Sequence, residues 1–305
     1  MIIYNNCSED NTSEAVKPYL SDERFTYHRH ATVINNFNYA LDNCKTDYLL
    51  IVHDDDIMLP DMVKEEIAIL DSNNDFSIVW TNMNYMSSDG KTIINPSVIS
   101  IYMDNKDCII NSREYIKLLI SKTNVIVCPA VMFRMSIIKA YNFHFRSDIG
   151  GGADCFMWLE LNQINYKFYY INKALYNYRI HEQQDSSRSL FLLPKIRKPV
   201  YFLLEDNNYS NYIKRKWIHY VDRILLTDIY KTNNRKRIFN ELKEKILFHD
   251  GKDYYLLIKL YYLLNEPFFL RNIRTYCRLN IKILWKITKK FIPIQIQQNI
   301  RKYIK

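Results

Sequence analysis

Glycine is scarce in this chain, with 5 in 305 residues, and its six cysteines follow no pattern. Cys7, Cys44, Cys108, Cys128, Cys155 and Cys277 form no Cys-x-x-Cys pair. That spacing argues against a disulfide framework or a zinc site and fits a reducing compartment. No basic segment followed by an apolar one opens the chain, so no signal peptide is expected. No uncharged apolar stretch reaches the roughly 18 residues of a membrane-spanning helix, so no transmembrane helix is expected. Internal repeats are missing as well.

What is present is apolar residues, at 48%, enough to bury a sizeable core in a catalytic-sized domain with an appendage. Tyr, Ile, Asn and Lys are heavy, a bias that an AT-rich genome would also produce. The net charge of +9 is uneven. From Gly251 to Lys305 there are twelve Lys and Arg against Asp253 and Glu266, a local charge of +10. The first 250 residues are therefore close to neutral, and the basic character belongs to the tail.

Along the chain, short apolar runs alternate with helical patterns. Ile2-Ile3-Tyr4 reads as a strand ending in a turn, and Asp10 to Thr12 can cap a helix running to about Tyr19. Phe25 to Arg29 is a second strand and Asn35 to Asn43 a helix. Tyr48 to Val52 is continuously apolar, as expected of a strand inside a parallel sheet. Pro60 stands where a helix can begin, with Met62 to Leu70 continuing it. Phe76 to Trp80 is the next strand, and Asn84 to Ile94 reads as a hairpin around Ser88-Asp89-Gly90. Further on come a helix from Tyr115 to Ile120, an apolar strand near Val125 to Phe133, and the triplet Gly150-Gly151-Gly152. A helix from Asp154 and a strand pair ending at Tyr178-Arg179-Ile180-His181 follow, and beyond about Leu190 only helical patterns remain. The alternation implies an α/β sheet flanked by helices.

The run Asp54-Asp55-Asp56 directly follows five apolar residues. Ligands of open α/β sheets bind at the carboxyl ends of strands. Carboxylates crowded there repel one another unless a cation lies between them. Mn²⁺ or Mg²⁺ suits such oxygen donors and keeps positions open for substrate phosphates. The bland alternative is a solvated loop, with Asp56 near the N-terminus of the next helix.

His53-Asp54-Asp55-Asp56-Ile57-Met58-Leu59-Pro60 resembles the DXD segment of family 2 glycosyltransferases of the GT-A fold. Asn36-Phe37-Asn38-Tyr39-Ala40-Leu41 and Asp47-Tyr48 resemble the helix and strand that precede it there. Asn5-Asn6-Cys7-Ser8-Glu9-Asp10-Asn11-Thr12 resembles the turn after an early strand of the family. Ala153-Asp154-Cys155-Phe156-Met157-Trp158-Leu159 is similar to its acceptor-side motif, and Tyr178-Arg179-Ile180-His181 to its YRxH segment.

The resemblance covers about residues 1 to 190. It implies a Rossmann-like GT-A mixed sheet flanked by helices over 1–190 and a helical basic region over 191–305. It also implies a role for each matched residue. Asp54, Asp55 and Asp56 would hold a divalent metal, with His181 on the metal or diphosphate. Asn5, Asp54, Asp55 and Arg179 would contact the nucleotide sugar, and Asp154 would be the catalytic base. Taken alone, Asp154 also reads as an ordinary N-cap, and Arg179 as a partner of a structural carboxylate. Arg134 reads equally as a cleft or a surface residue.

The chain departs from the family in two ways. A member normally begins with one more strand, and Met1 stands where the second would start. The resemblance therefore implies a central sheet interrupted at that place, with exposed strand edges and an incomplete base-binding wall. Asn5 stands where the family usually has Asp, and an amide can still donate and accept there.

In the tail, Lys282, Lys286, Lys289 and Lys290 fall on one helical stripe opposite Ile, Leu and Phe. That pattern suits a helix lying on an anionic membrane surface. A helix packed on the domain with a solvated lysine face is the alternative. Nucleic acid is not an expected partner, because no nucleic-acid module is visible.

Together these readings imply an inverting glycosyltransferase. It would move sugar from a nucleotide-diphospho-sugar to a glycan or lipid-linked acceptor in cell-surface polysaccharide biosynthesis. Its expected place is cytoplasmic, peripheral on the inner face of the membrane. One rival is a truncated, inactive relative acting as a membrane-surface interaction partner. A sugar nucleotidyltransferase is another, but it would show a Gly-rich loop with basic residues after its first strand, and none is present.

Overall fold

A computed structural model describes residues 1–29, 33–149, 152–181, 192–218 and 220–221. The chain divides into two compact units, Met1–Asp228 and Ile229–Lys305. The second unit, with the basic tail, lies outside the described residues.

Strand β1 (Ile2–Asn5) leads through helix α1 (Thr12–Val16) and a 3-10 turn (Lys17–Ser21) into β2 (Thr26–Arg29). Pro18, inside that turn, has no N–H to continue an α-helical ladder. β1 and β2 pair in parallel as a sheet of their own. Helix α2 (Val33–Asn43) follows, then β3 (Tyr48–Leu50), β4 (Ile57–Met58), α3 (Met62–Ser72) and β5 (Phe76–Met86). β6 (Ile93–Asn95), β7 (Cys108–Ile110), α4 (Tyr115–Ser121), β8 (Val131–Arg134) and α5 (Met135–Ala140) come next. The described part ends with α6 (Ala153–Leu161), β9 (Lys167–Arg179), α7 (Leu192–Asp206) and a helical stretch over 211–218.

The second sheet has seven strands in the order β3-β8-β5-β9-β4, with β6 on β5 and β7 on β9. It is mixed: β5 and β9 run parallel, and the other pairs are antiparallel. The expected mixed α/β sheet flanked by helices is therefore present.

Several sequence expectations shift. The apolar run from Tyr48 forms only a short half-buried strand, antiparallel to β8 at the end of the sheet, not a strand inside a parallel one. Its second edge has no strand partner among the described residues, and neither does that of β1. The 125–133 run forms a strand only from Val131, because Pro129 in the preceding 3-10 turn cannot donate to a ladder. The strand pair before His181 is one thirteen-residue strand, β9.

Helix α2 lies against both sheets. Tyr39 packs against Tyr4 of β1 and His28 of β2, while Phe37 meets His53 beyond β3 and Phe145. The main core is centred on α6, which is buried nearly all round, as a central helix must be apolar on every face. Trp158 packs against Phe133 and Phe145, and Val200 and Leu204 of α7 join the same core. Among the described residues no helix is long and apolar enough to cross a membrane.

Arg134 is neither a surface nor a cleft residue. It is buried, and its guanidinium donates to the carbonyls of Leu70, Asn73 and Phe76. Leu70 and Asn73 stand at the C-terminal end of α3, where carbonyls attract positive charge, and Phe76 opens β5.

Candidate active site

The acidic run sits in the turn between β3 and β4. β4 pairs antiparallel with β9, Ile57 opposite Asn177 and Met58 opposite Tyr176. The Leu59 N–H donating to the Leu175 carbonyl at 3.0 Å continues that pairing. The pairing brings the turn against the end of β9, which carries Arg179 and leads to His181.

Asp55, Asp56, Arg179 and His181 thereby come together. His181 Nε2 lies 2.9 Å from Asp55 Oδ2. Asp56 accepts the Arg179 backbone N–H at 2.7 Å and the Tyr176 hydroxyl at 3.0 Å. The Arg179 guanidinium donates to the Asp55 carbonyl and, at 2.9 Å, to the Ser88 carbonyl in the β5–β6 hairpin. It thus ties the acidic turn to the hairpin through main-chain carbonyls rather than through a structural carboxylate. Gly90 makes room for it: its φ is +75°, and a Cβ there would stand 2.7 Å from Arg179 Nη1.

Burial raises the Asp56 pKa to about 6, helped by the neighbouring Asp55 charge and opposed by the donors from Arg179 and Tyr176. The Tyr176 hydroxyl is pushed upward, first by burial and then by the Asp56 charge.

Asp54 is exposed on the turn. Among the described residues, the groups whose ligand atoms lie within 4.8 Å of one another are His53, Asp55 and Asp56. His53 was not selected from the sequence, although it stands directly before the triplet. Its ring stacks on Phe37 with an 8° interplanar angle, and its backbone N–H donates to the Tyr176 hydroxyl at 3.4 Å. Two carboxylates and an imidazole are a donor set that suits a divalent cation such as Mn²⁺.

Asp154 lies in the first turn of α6, and its Oδ1 accepts the Cys155 N–H at 2.7 Å. Burial raises its pKa to about 6, against the pull of that N–H and its own. Burial first, and the Asp154 charge second, raise the neighbouring Cys128 and Cys155 thiols, so Asp154 sits among apolar and weakly polar groups. Asn5 closes β1, on the two-stranded sheet. Its Oδ1 accepts the Ser8 N–H at 2.7 Å, and its Nδ2 is buried with no hydrogen-bond partner among the described residues.

A sheet of this kind, with carboxylates at a strand end, is that of the GT-A transferases, and solved structures agree. TarS from S. aureus, in a 1–349 structure with UDP-GlcNAc, superposes with a TM-score of 0.58 at 15% identity, over 86% of this chain and 77% of that one. The mannosyltransferase PcManGT from Pyrobaculum calidifontis, in complex with GDP-Man and Mn2+, gives 0.50 at 11% identity, over 86% and 75%. No curated protein matches the sequence. Residues 1–142 match the model of Glycosyl transferase family 2, so that segment is a domain of this kind. It is a glycosyltransferase of the GT-A fold.

Proposed function

We propose that the chain transfers a sugar with inversion from a nucleotide-diphospho-sugar to a hydroxyl of a glycan or lipid-linked acceptor. The observation that carries this reading is the convergence of His53, Asp55 and Asp56 within 4.8 Å on a turn pinned to the end of β9. The complexes of structural relatives with UDP-GlcNAc and with GDP-Man and Mn2+ support a nucleotide-sugar donor.

His53, Asp55 and Asp56 would hold Mn²⁺ or Mg²⁺. Such a cation, when bound, supplies positive charge against the departing diphosphate. Arg179 holds the acidic turn in place and adds its own charge on the diphosphate side. Asn5 offers a buried amide to the nucleotide base. Asp154 takes the acceptor proton as the acceptor oxygen attacks the anomeric carbon from the face opposite the leaving group. The bond from that carbon to the diphosphate oxygen breaks, and the nucleoside diphosphate departs. A base with a pKa of about 6 is ionised at neutral pH and still basic enough to assist.

The acceptor is a growing cell-surface polysaccharide. The protein works in the cytoplasm, with the basic tail on the anionic inner face of the membrane. Loss of vesicle binding on deletion of residues 280–305 is expected, and unchanged binding would refute the membrane position.

Turnover of UDP- and GDP-sugars with Mn²⁺ tests the whole reading. If Asp55→Ala and Asp154→Ala both leave turnover unchanged, the site is misassigned. A second reading, a non-catalytic relative, draws support from the separate sheet that carries Asn5. Absence of any metal-dependent binding of UDP or GDP would favour it.

A further inference from the structure

We propose that Asn38 of α2 is a positioning residue for Asp154: it clamps the loop that leads into α6, so that the base is held at a set place relative to the acidic turn. The inference rests on the assignment of Asp154 as base made above and extends it to what aims that base.

Asn38 and its neighbour Phe37 both address Phe145, which lies in the loop between α5 and α6. The Asn38 amide meets the Phe145 backbone as a strand partner would. Its Nδ2 donates to the Phe145 carbonyl and its Oδ1 accepts the Phe145 N–H, each at 2.8 Å. The buried ring of Phe145 reaches to both sides, packing on Phe37 at 5.2 Å between centroids and on Trp158 at 6.3 Å. Phe37 in turn stacks on His53, beside the acidic turn. Trp158 stands one helical turn after Asp154 on α6, so the two share a side of that helix. The row His53, Phe37, Phe145, Trp158 therefore joins the turn that carries Asp55 and Asp56 to the helix that carries Asp154. Asn38 fixes the middle of that row by its backbone.

Two outer contacts hold the same loop. His144 Nε2 meets Asp42 Oδ1, one turn further along α2, at 2.7 Å. That pair faces solvent and adds little by itself. The Arg146 guanidinium lies over the Phe156 ring of α6, 5.0 Å from its centroid, while pairing with Asp148. The partly buried Asn38 bonds are the ones that set the loop on α2.

A base acts only within hydrogen-bond reach of its proton, and a displacement of about 1 Å can cost two orders of magnitude in rate. Loss of the clamp lets the loop and the start of α6 shift while the donor side keeps its contacts. The effect therefore falls on the chemical step and not on nucleotide affinity.

The test uses the full chain. Release of nucleoside diphosphate is followed with Mn²⁺ and the UDP- or GDP-sugar that the wild type turns over, and UDP or GDP affinity is measured by calorimetry. Asn38→Ala is expected to lower kcat about tenfold or more and to leave nucleotide affinity within about twofold. In the weakly active Asp154→Asn background the same change should have almost no further effect, because the base it aims is already gone. A general loss of folding would instead lower the rate equally in both backgrounds. Asn38→Asp keeps the acceptor for the Phe145 N–H and should show a smaller fall with the same dependence on Asp154; it carries the cycle where Asn38→Ala does not fold. An Asn38 effect of equal size in both backgrounds, one confined to nucleotide affinity, or none at all overturns the positioning role and leaves Asp154 as base. Turnover by Asp154→Asn that equals the wild type, or no turnover by the wild type, overturns the reading of the site and this inference with it.

Discussion

Glu66 is the most exacting place to test the packing of the catalytic domain. It lies on α3, fully buried, with Met62 and Leu70 on the same face, and neither carboxylate oxygen has a hydrogen-bond partner among the described residues. Burial drives its pKa well above the ordinary carboxylate range, so the fold keeps it neutral. In the unfolded chain it ionises above about pH 4.3. A raised folded pKa gives stability that is fully present below the unfolded value and is lost as pH rises to the folded one. The loss runs at up to about 1.4 kcal/mol per pH unit. Glu66→Gln keeps the shape and removes the titration. Its advantage over the wild type should be small near pH 4, widen as pH rises above the unfolded value, and level off above the folded pKa. Glu66→Met also removes the unpaired polar atoms and should add about 1–3 kcal/mol at every pH. Urea unfolding followed by circular dichroism, with unchanged m-values, reads both effects. A gap between Glu66→Gln and wild type that stays flat from pH 5 to 8 would refute the reasoning.

Other outcomes are expected from the same geometry. Arg134→Met should cost about 2–4 kcal/mol by leaving three carbonyls around the end of α3 without their charged donor, measured by the same unfolding assay. Gly90→Ala should lower stability by about 1–2 kcal/mol, since φ is +75° there, and should raise KM for the donor as Arg179 is pushed off its carbonyl partners. Transfer rate should fall about tenfold per pH unit below about pH 6, where Asp154 takes up a proton and can no longer act as base, and the bend should vanish in the weakly active Asp154→Asn.

Much of the fold was legible in the sequence because local signals agreed with tertiary ones. β1, the two short N-terminal elements after it, α2, α3 and α4 lie within a few residues of the expected positions. The acidic turn follows its apolar strand as read. β5 proved longer than its apolar run, because Thr81 and Asn82 break the apolar pattern but not the strand. Asn82 is buried and serves as an internal hub: its Oδ1 accepts the Met83 and Ile99 N–H groups, and its Nδ2 donates to Ser100. A polar residue with a full set of partners is invisible to a hydropathy pattern. The place of β3 at a sheet end could not be seen in its composition, since a strand beside an open edge and one inside a sheet can carry the same apolar residues.

Within the site, order in the sequence and proximity in space differ. Asp54, the first acid of the run, is exposed on the turn, while His53 before it lies with Asp55 and Asp56. The signal for His53 was its place at the head of the triplet, with a ring able to rest on Phe37. Arg179 and His181 come to the acidic turn through the β4–β9 pairing, a contact across more than a hundred residues that no local pattern encodes.

The most direct test of the central claim is Mn²⁺-dependent release of nucleoside diphosphate from UDP- and GDP-sugars, comparing wild type with Asp55→Ala. Release by the wild type that is abolished by chelation, restored by Mn²⁺ and lost in Asp55→Ala is the expected result. Release that persists after chelation, or that Asp55→Ala leaves untouched, would contradict it.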